Sequence, residues 1–150
     1  MDAVSYPDEK VIEFINKNII PLRIRFDAQP FSADFNITWT PTLVTLDSGG
    51  KEHHRTTGFL APEELIPSLL LGMTKSYFNR EQFNEALKTI GELLSKYPRS
   101  GSAPEAIYLR GVSQYKSTHD PKPLKKAYEE LQANYPLSEW TKRAYPYRLL

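Results

Sequence analysis

The sequence contains no cysteine, which excludes disulfides, thiolate catalysis and zinc sites built on sulfur, though it assigns no compartment. Long apolar runs are missing as well. The longest, Leu69–Leu71 with Ile66 before it, falls far short of the roughly 20 residues that cross a bilayer as a helix, so no membrane contact is expected. Neither sign of charge prevails. Nineteen lysines and arginines stand against 18 acidic residues, a formal net charge of +1, and no basic block is long enough to track a phosphate backbone, so nucleic acid is not an expected partner. Met1 to Lys10 lack the basic start and apolar core of a secretory signal, which makes the cytoplasm the expected compartment.

Motifs for chemistry are also scarce. His53 and His54 are adjacent on an expected strand, where successive side chains point to opposite faces, so they are not expected to share a metal. His119 falls in a loop without a second ligand at useful spacing. Ser48, Gly49 and Gly50 join two strands rather than opening a helix, and read as a turn rather than a phosphate cradle. The carboxylate pairs Asp8/Glu9 and Glu63/Glu64 sit at helix starts, where the macrodipole accounts for them. No nucleophile stands at a recognisable spacing from a base. The expectation is a protein without catalysis, metal or cofactor.

With 40% hydrophobic and 25% charged residues, the chain has the balance of an ordinary folded domain. Pro7, Asp8 and Glu9 mark a helix start, and Val11, Phe14 and Ile15 carry the helical spacing to about Asn18. Leu22, Ile24 and Phe26 alternate with Arg23 and Arg25, the period of a half-buried strand. Phe31 and Phe35 suggest a short helix. The run Leu43–Leu46, the turn residues Asp47–Gly50 and the segment Glu52–Thr57 predict a hairpin. From about residue 61 leucine, tyrosine, alanine and lysine recur with helical periodicity, predicting helices near 62–79, 81–97, 103–117, 122–135 and 138–149. Pro67 and Pro146 should kink or shift the first and last of these.

Within this second part, residues 38 apart agree: Tyr77 with Tyr115, Leu93 with Leu131, Tyr97-Pro98 with Tyr135-Pro136, Ser100 with Ser138, Ala106 with Ala144. Such a period marks stacked helical hairpins, each too small to bury its apolar face alone. The pattern resembles tetratricopeptide-type repeats, in the variant with YPxS at the turn between repeats. The stretch TPTLVTLDSGGK, the strand to Thr57 and the following GFLAPEELIPSLL resemble the second half of a thioredoxin-like domain. That resemblance implies a cis peptide bond before Pro41. It also implies that Met1 lies beyond the position of the family's first core strand and CxxC motif.

The expected fold class is therefore α/β, a truncated thioredoxin-like part over residues 1–60, plus all-α helical-hairpin repeats over 61–150. By the resemblance, a central strand is missing between Leu22–Phe26 and Leu43–Leu46. Unpaired backbone groups there would each cost about 1–3 kcal/mol, leaving three outcomes: the two strands close up, another chain donates a strand, or the protein begins upstream.

The expected function is a non-catalytic module that binds a protein or peptide partner, or a second copy of itself. Trp39, Thr40 and Pro41 are candidate peptide contacts on the thioredoxin-like side, with core filling as the competing role for Trp39. Lys75, Asn79, Arg110, Ser113 and Lys116 are candidates on the groove formed by the first helix of each repeat. The alternative is a fragment of a thiol-disulfide oxidoreductase whose CxxC lies upstream of Met1.

Overall fold

The Asp8 carboxylate accepts from the backbone N–H groups of Lys10 and Val11 at 3.0 and 3.1 Å, satisfying two donors that a helix start leaves free. Helix α1 follows over Glu9–Asn18. The structure, a computed structural model, describes residues 1–150. After a short helix α2 (Phe31–Asp34) come strands β1 (Thr42–Leu46) and β2 (Glu52–Thr57), then helices α3 (Pro62–Asn79), α4 (Phe83–Lys96), α5 (Ala103–Thr118), α6 (Lys122–Asn134) and α7 (Glu139–Ala144), with a closing 3-10 turn over Tyr145–Leu149.

The strand expected over Leu22–Phe26 does not form. That segment belongs to no sheet, and a lone strand is not stable without a partner for its backbone groups. Its arginines pair in solvent instead, Arg23 with Asp2 at 2.9 Å and Arg25 with Asp27 at 2.8 Å. Residues 20–57 thus hold a two-stranded antiparallel hairpin, not the half-sheet that a thioredoxin-like domain requires, and direct closure of the two expected strands does not occur. The Thr40–Pro41 bond is cis, as is Gln29–Pro30.

Asp47 organises the hairpin turn: its Oδ1 accepts from the N–H groups of Gly49 and Lys51 at 2.9 and 3.0 Å, while Gly50 supplies the positive φ of 80° that the turn needs. The ladder pairs Thr42 with Thr57 through Thr45 with His54, then slips so that Leu46 faces Glu52. His53 is the extra residue of a β-bulge.

The repeat period is written into the geometry. Tyr97 and Tyr135 end α4 and α6 with nearly the same backbone angles (φ −131° and −138°, ψ 49° and 54°), and their N–H groups reach Leu93 O and Leu131 O, both at 2.8 Å. Ser100 and Ser138 then donate their N–H groups to the two tyrosine carbonyls at 3.1 and 3.0 Å. The Tyr135 hydroxyl donates to Pro98 O, tying one turn to the next.

Each helix from α3 to α7 packs on its successor. Leu65, Leu70, Ile90, Leu93, Ala103 and Ala106 form one buried cluster; Ile107, Ala127, Leu131 and Ala144 form the next. Full burial of a leucine-sized side chain stabilises by about 1.5–3 kcal/mol. At Gly111 a Cβ would lie 2.7 Å from Ala127 Cβ and 2.9 Å from Pro123 O, so a glycine lets α5 and α6 approach. Pro67 is buried inside α3 and does not displace its start at Pro62. Near Pro146 the α-helix gives way to the 3-10 turn.

Candidate functional site: a charged cleft beside the hairpin

The hairpin lies along one face of α3. Ser68, Gly72, Lys75 and Asn79 are spaced four, three and four residues apart, which aligns them on a single helical face. Thr56 Oγ1 meets Ser68 Oγ at 3.0 Å, His54 Nδ1 meets Lys75 Nζ at 3.2 Å, and His53 Nδ1 meets Asn79 Nδ2 at 3.0 Å. Strand β2 therefore runs antiparallel to the helix. A Cβ on Gly72 would sit only 3.0 Å from Thr45 Cβ, so this glycine sets the close approach.

Both histidines face α3, contrary to the alternation expected of a regular strand. The bulge is the physical reason: the extra residue turns His53 onto the same face as His54. It also brings Glu52 and Arg55 together on the opposite face, bonded through the Arg55 guanidinium at 2.6 and 2.8 Å. That bond holds the Glu52 carboxyl below its usual range.

The hydrogen bonds fix the ring tautomers. An ammonium only donates, so His54 Nδ1 accepts from Lys75 and Nε2 carries the proton, which it donates to Thr56 Oγ1 at 3.3 Å. Burial first, then the Lys75 charge, pushes the His54 pKa down to about 4, with Glu52 acting the other way. The Asn79 amide likewise donates to His53 Nδ1, leaving Nε2–H to donate to Asp47 Oδ2 at 2.8 Å. That bond, helped by the Lys51 and Gly49 amides, holds the Asp47 pKa at about 2.

Beyond β2 opens a cleft of about 610 Å³, walled by the strand, α3, α5 and α7. Lys75 crosses its floor to Glu105, 2.6 Å away. On the far wall Arg143 pairs with Glu139 at 3.0 Å and lies over the Trp140 ring, 4.6 Å from its centroid. Glu52 and Arg55 form the near wall. Three carboxylates and three cations thus face one space, each already matched to a neighbour in the chain.

Of the residues anticipated on the groove, Lys75 lines the cleft and Asn79 lies beside it, held by His53. Arg110 is occupied by Glu130 of α6. Ser113, expected on the groove surface, is fully buried with its hydroxyl unpartnered. It is the repeat equivalent of Lys75, 38 residues on, and the two positions differ because lysine has a stem long enough to carry its charge out. Lys116 lines a different hollow, with Phe83, Tyr115 and Leu150. Trp39, Thr40 and Pro41 precede β1 and do not line the cleft; Trp39 is 67% exposed, so it fills no core. Sequence reasoning missed Glu105, Glu139, Trp140 and Arg143. The signal for two of them was the repeat itself, since Glu105 and Arg143 are 38 residues apart.

The profile of YfiO, described as an outer membrane lipoprotein, matches residues 59–146, more than half of the chain. The chain belongs to the YfiO family. No curated protein and no solved structure matches it. The YfiO match begins at Phe59, just after β2, and runs through α3 to α7, so the cleft has its α3, α5 and α7 walls inside the matched region and its β2 wall before it. The family description overturns the cytoplasmic expectation, because it points to association with a membrane. A protein can be held at a membrane without an apolar span of its own, so neither hydropathy nor the composition of Met1 to Lys10 reads out such an association. No helix of the chain is long and apolar enough to cross a membrane.

Proposed function

We propose that the protein is a non-catalytic protein–protein interaction module, and that the cleft between β2 and the repeat helices is its binding surface. The observation that carries this reading is the set of three ion pairs around one open space on a helical-repeat scaffold. Stacked repeats present an extended inner surface to partners, and half-exposed pairs such as Arg143–Glu139 can exchange their internal partner for an external one at little cost, since exposed pairs contribute only about 0–1 kcal/mol. YfiO membership supports protein partners at a membrane.

The reading is tested by placing a photo-crosslinking amino acid at Arg143 in cells expressing the full chain, with a second label at Lys126 on the exposed side of α6. A discrete protein adduct at position 143 that position 126 does not give supports the proposal. Identical adducts from both positions, or none from 143, contradict it. An insulin-reduction assay is expected to show no turnover, because the chain offers no thiol.

A further inference from the structure

The cleft borders the hairpin at an unusual place. All four consecutive residues Glu52 to Arg55 line it, although His53 and His54 face α3 while Glu52 and Arg55 face the opposite way. The His53 side chain is only 1% exposed, so this residue meets the open space through its backbone, which places the cleft along the strand's edge. That edge is unpaired, because the sheet has two strands and the other edge of β2 is taken by β1.

The register identifies which backbone groups are free. Gly58 N–H bonds to Pro41 O at 2.8 Å, and in an antiparallel ladder bonded and non-bonded pairs alternate. Thr56 and His54 therefore bond to Leu43 and Thr45, while Arg55, opposite Val44, and Thr57, opposite Thr42, turn their N–H and C=O groups outward. The Arg55 groups open onto the cleft.

We propose that β2 accepts an added strand here: an extended segment of a partner protein, of mixed and alternating charge, pairs its backbone with Arg55 and Thr57 and lies between β2 and α7. The proposal deepens the protein-binding reading of the same cleft and rests on it. Strand addition draws affinity from main-chain bonds and selectivity from alternate side chains. The lining selects the chemistry. An apolar segment would strand six charged groups against hydrocarbon, and a segment of one sign would meet three like charges. A segment that alternates acid and base satisfies both sets, with its carboxylates toward Arg55 and Arg143 and its cations toward Glu52 and Glu139.

The probes are capped eight-residue peptides: one alternating glutamate, threonine and lysine, one of valine and threonine, and one polylysine, each titrated into the full chain with residue-resolved amide exchange as readout. The mixed-charge peptide is expected to bind at least tenfold more tightly than the others and to slow exchange at Arg55 and Thr57 at least tenfold. Arg55→Pro removes the guanidinium and one outward N–H without touching a ladder bond, as proline is tolerated at a strand edge, and should weaken this binding at least tenfold more than Arg55→Ala, which removes the guanidinium alone. Val44→Pro makes the matching defect on the far edge of β1 and should change it less than threefold. Should either proline variant fail to fold, the exchange pattern of the unaltered chain decides. Binding that protects α5 and α7 but leaves Arg55 and Thr57 unchanged overturns strand addition and leaves the cleft reading standing. No binding of any peptide, or equal sensitivity to Arg55→Pro and either Arg55→Ala or Val44→Pro, overturns the proposal as well.

Discussion

The first sixty residues and the remaining ninety solve the same problem differently. Every helix from α3 to α7 contributes apolar side chains to the buried core, whereas before residue 61 Val11 is the only apolar side chain to be buried. The exposed large hydrophobic residues divide in the opposite sense, ten before residue 61 and five after it. The repeats bury themselves through contacts between neighbours in sequence, which close short loops and cost little chain entropy. The earlier region has no such internal partner. Two of its parts, α1 and the hairpin, hold their places by leaning on α3. A face of α3 that is small and polar, from Ser68 to Asn79, serves this purpose where an apolar stripe would otherwise be expected.

The comparison breaks most visibly with paired truncations. Leu70→Ala should cost about 2–5 kcal/mol, the range for emptying a well-packed leucine site, while Leu22→Ala on the exposed segment should stay within about 0.5 kcal/mol. Urea unfolding of both variants checks the contrast. Next in size is Gly72→Ala, which thrusts a Cβ against Thr45 and should cost about 1–3 kcal/mol. Its signature is regional: exchange of hairpin amides rises while α4 to α6 keep their protection.

Acid should act on the hairpin in two stages. The folded His54 pKa, about 4, lies below its ordinary 6.5, so between those values the unfolded chain binds more protons and stability falls as pH falls, levelling off below 4. Asp47 adds a second loss as pH drops from its ordinary 3.8 toward 2. Thermal melts across pH 3–7 should show the first slope reduced in His54→Gln and retained in His119→Gln. A small effect of opposite sign is expected at Ser113, where the buried hydroxyl has no partner. Ser113→Ala should be neutral or stabilising by up to about 1 kcal/mol in the same urea series, since it removes a desolvated polar group.

How much of this was legible follows from the kind of signal each element carries. Helices α3 to α6 begin and end within two residues of their expected bounds, because amphipathic periodicity and the YPxS turns are local and repeated. The hairpin was equally plain from Asp47 to Gly50. The segment Leu22–Phe26 misled, because alternation describes a strand that has a partner and says nothing of whether one exists. The cleft was half visible. Lys75 stood out as a polar residue on a first helix, but the bulge at His53 depends on ladder register, which no single residue encodes. Without it, the two histidines could not be placed on one face, nor the Glu52–Arg55 pair on the other.

The central claim is that the hairpin is fastened to α3 and forms one wall of the cleft. Amide exchange of His54 and Thr56 in the Lys75→Ala/Asn79→Ala double variant tests it most directly. The account predicts that both amides lose protection at least tenfold while Ile90, Leu93 and Leu131 keep theirs. Unchanged protection at His54 and Thr56, or its loss throughout the chain, would contradict it.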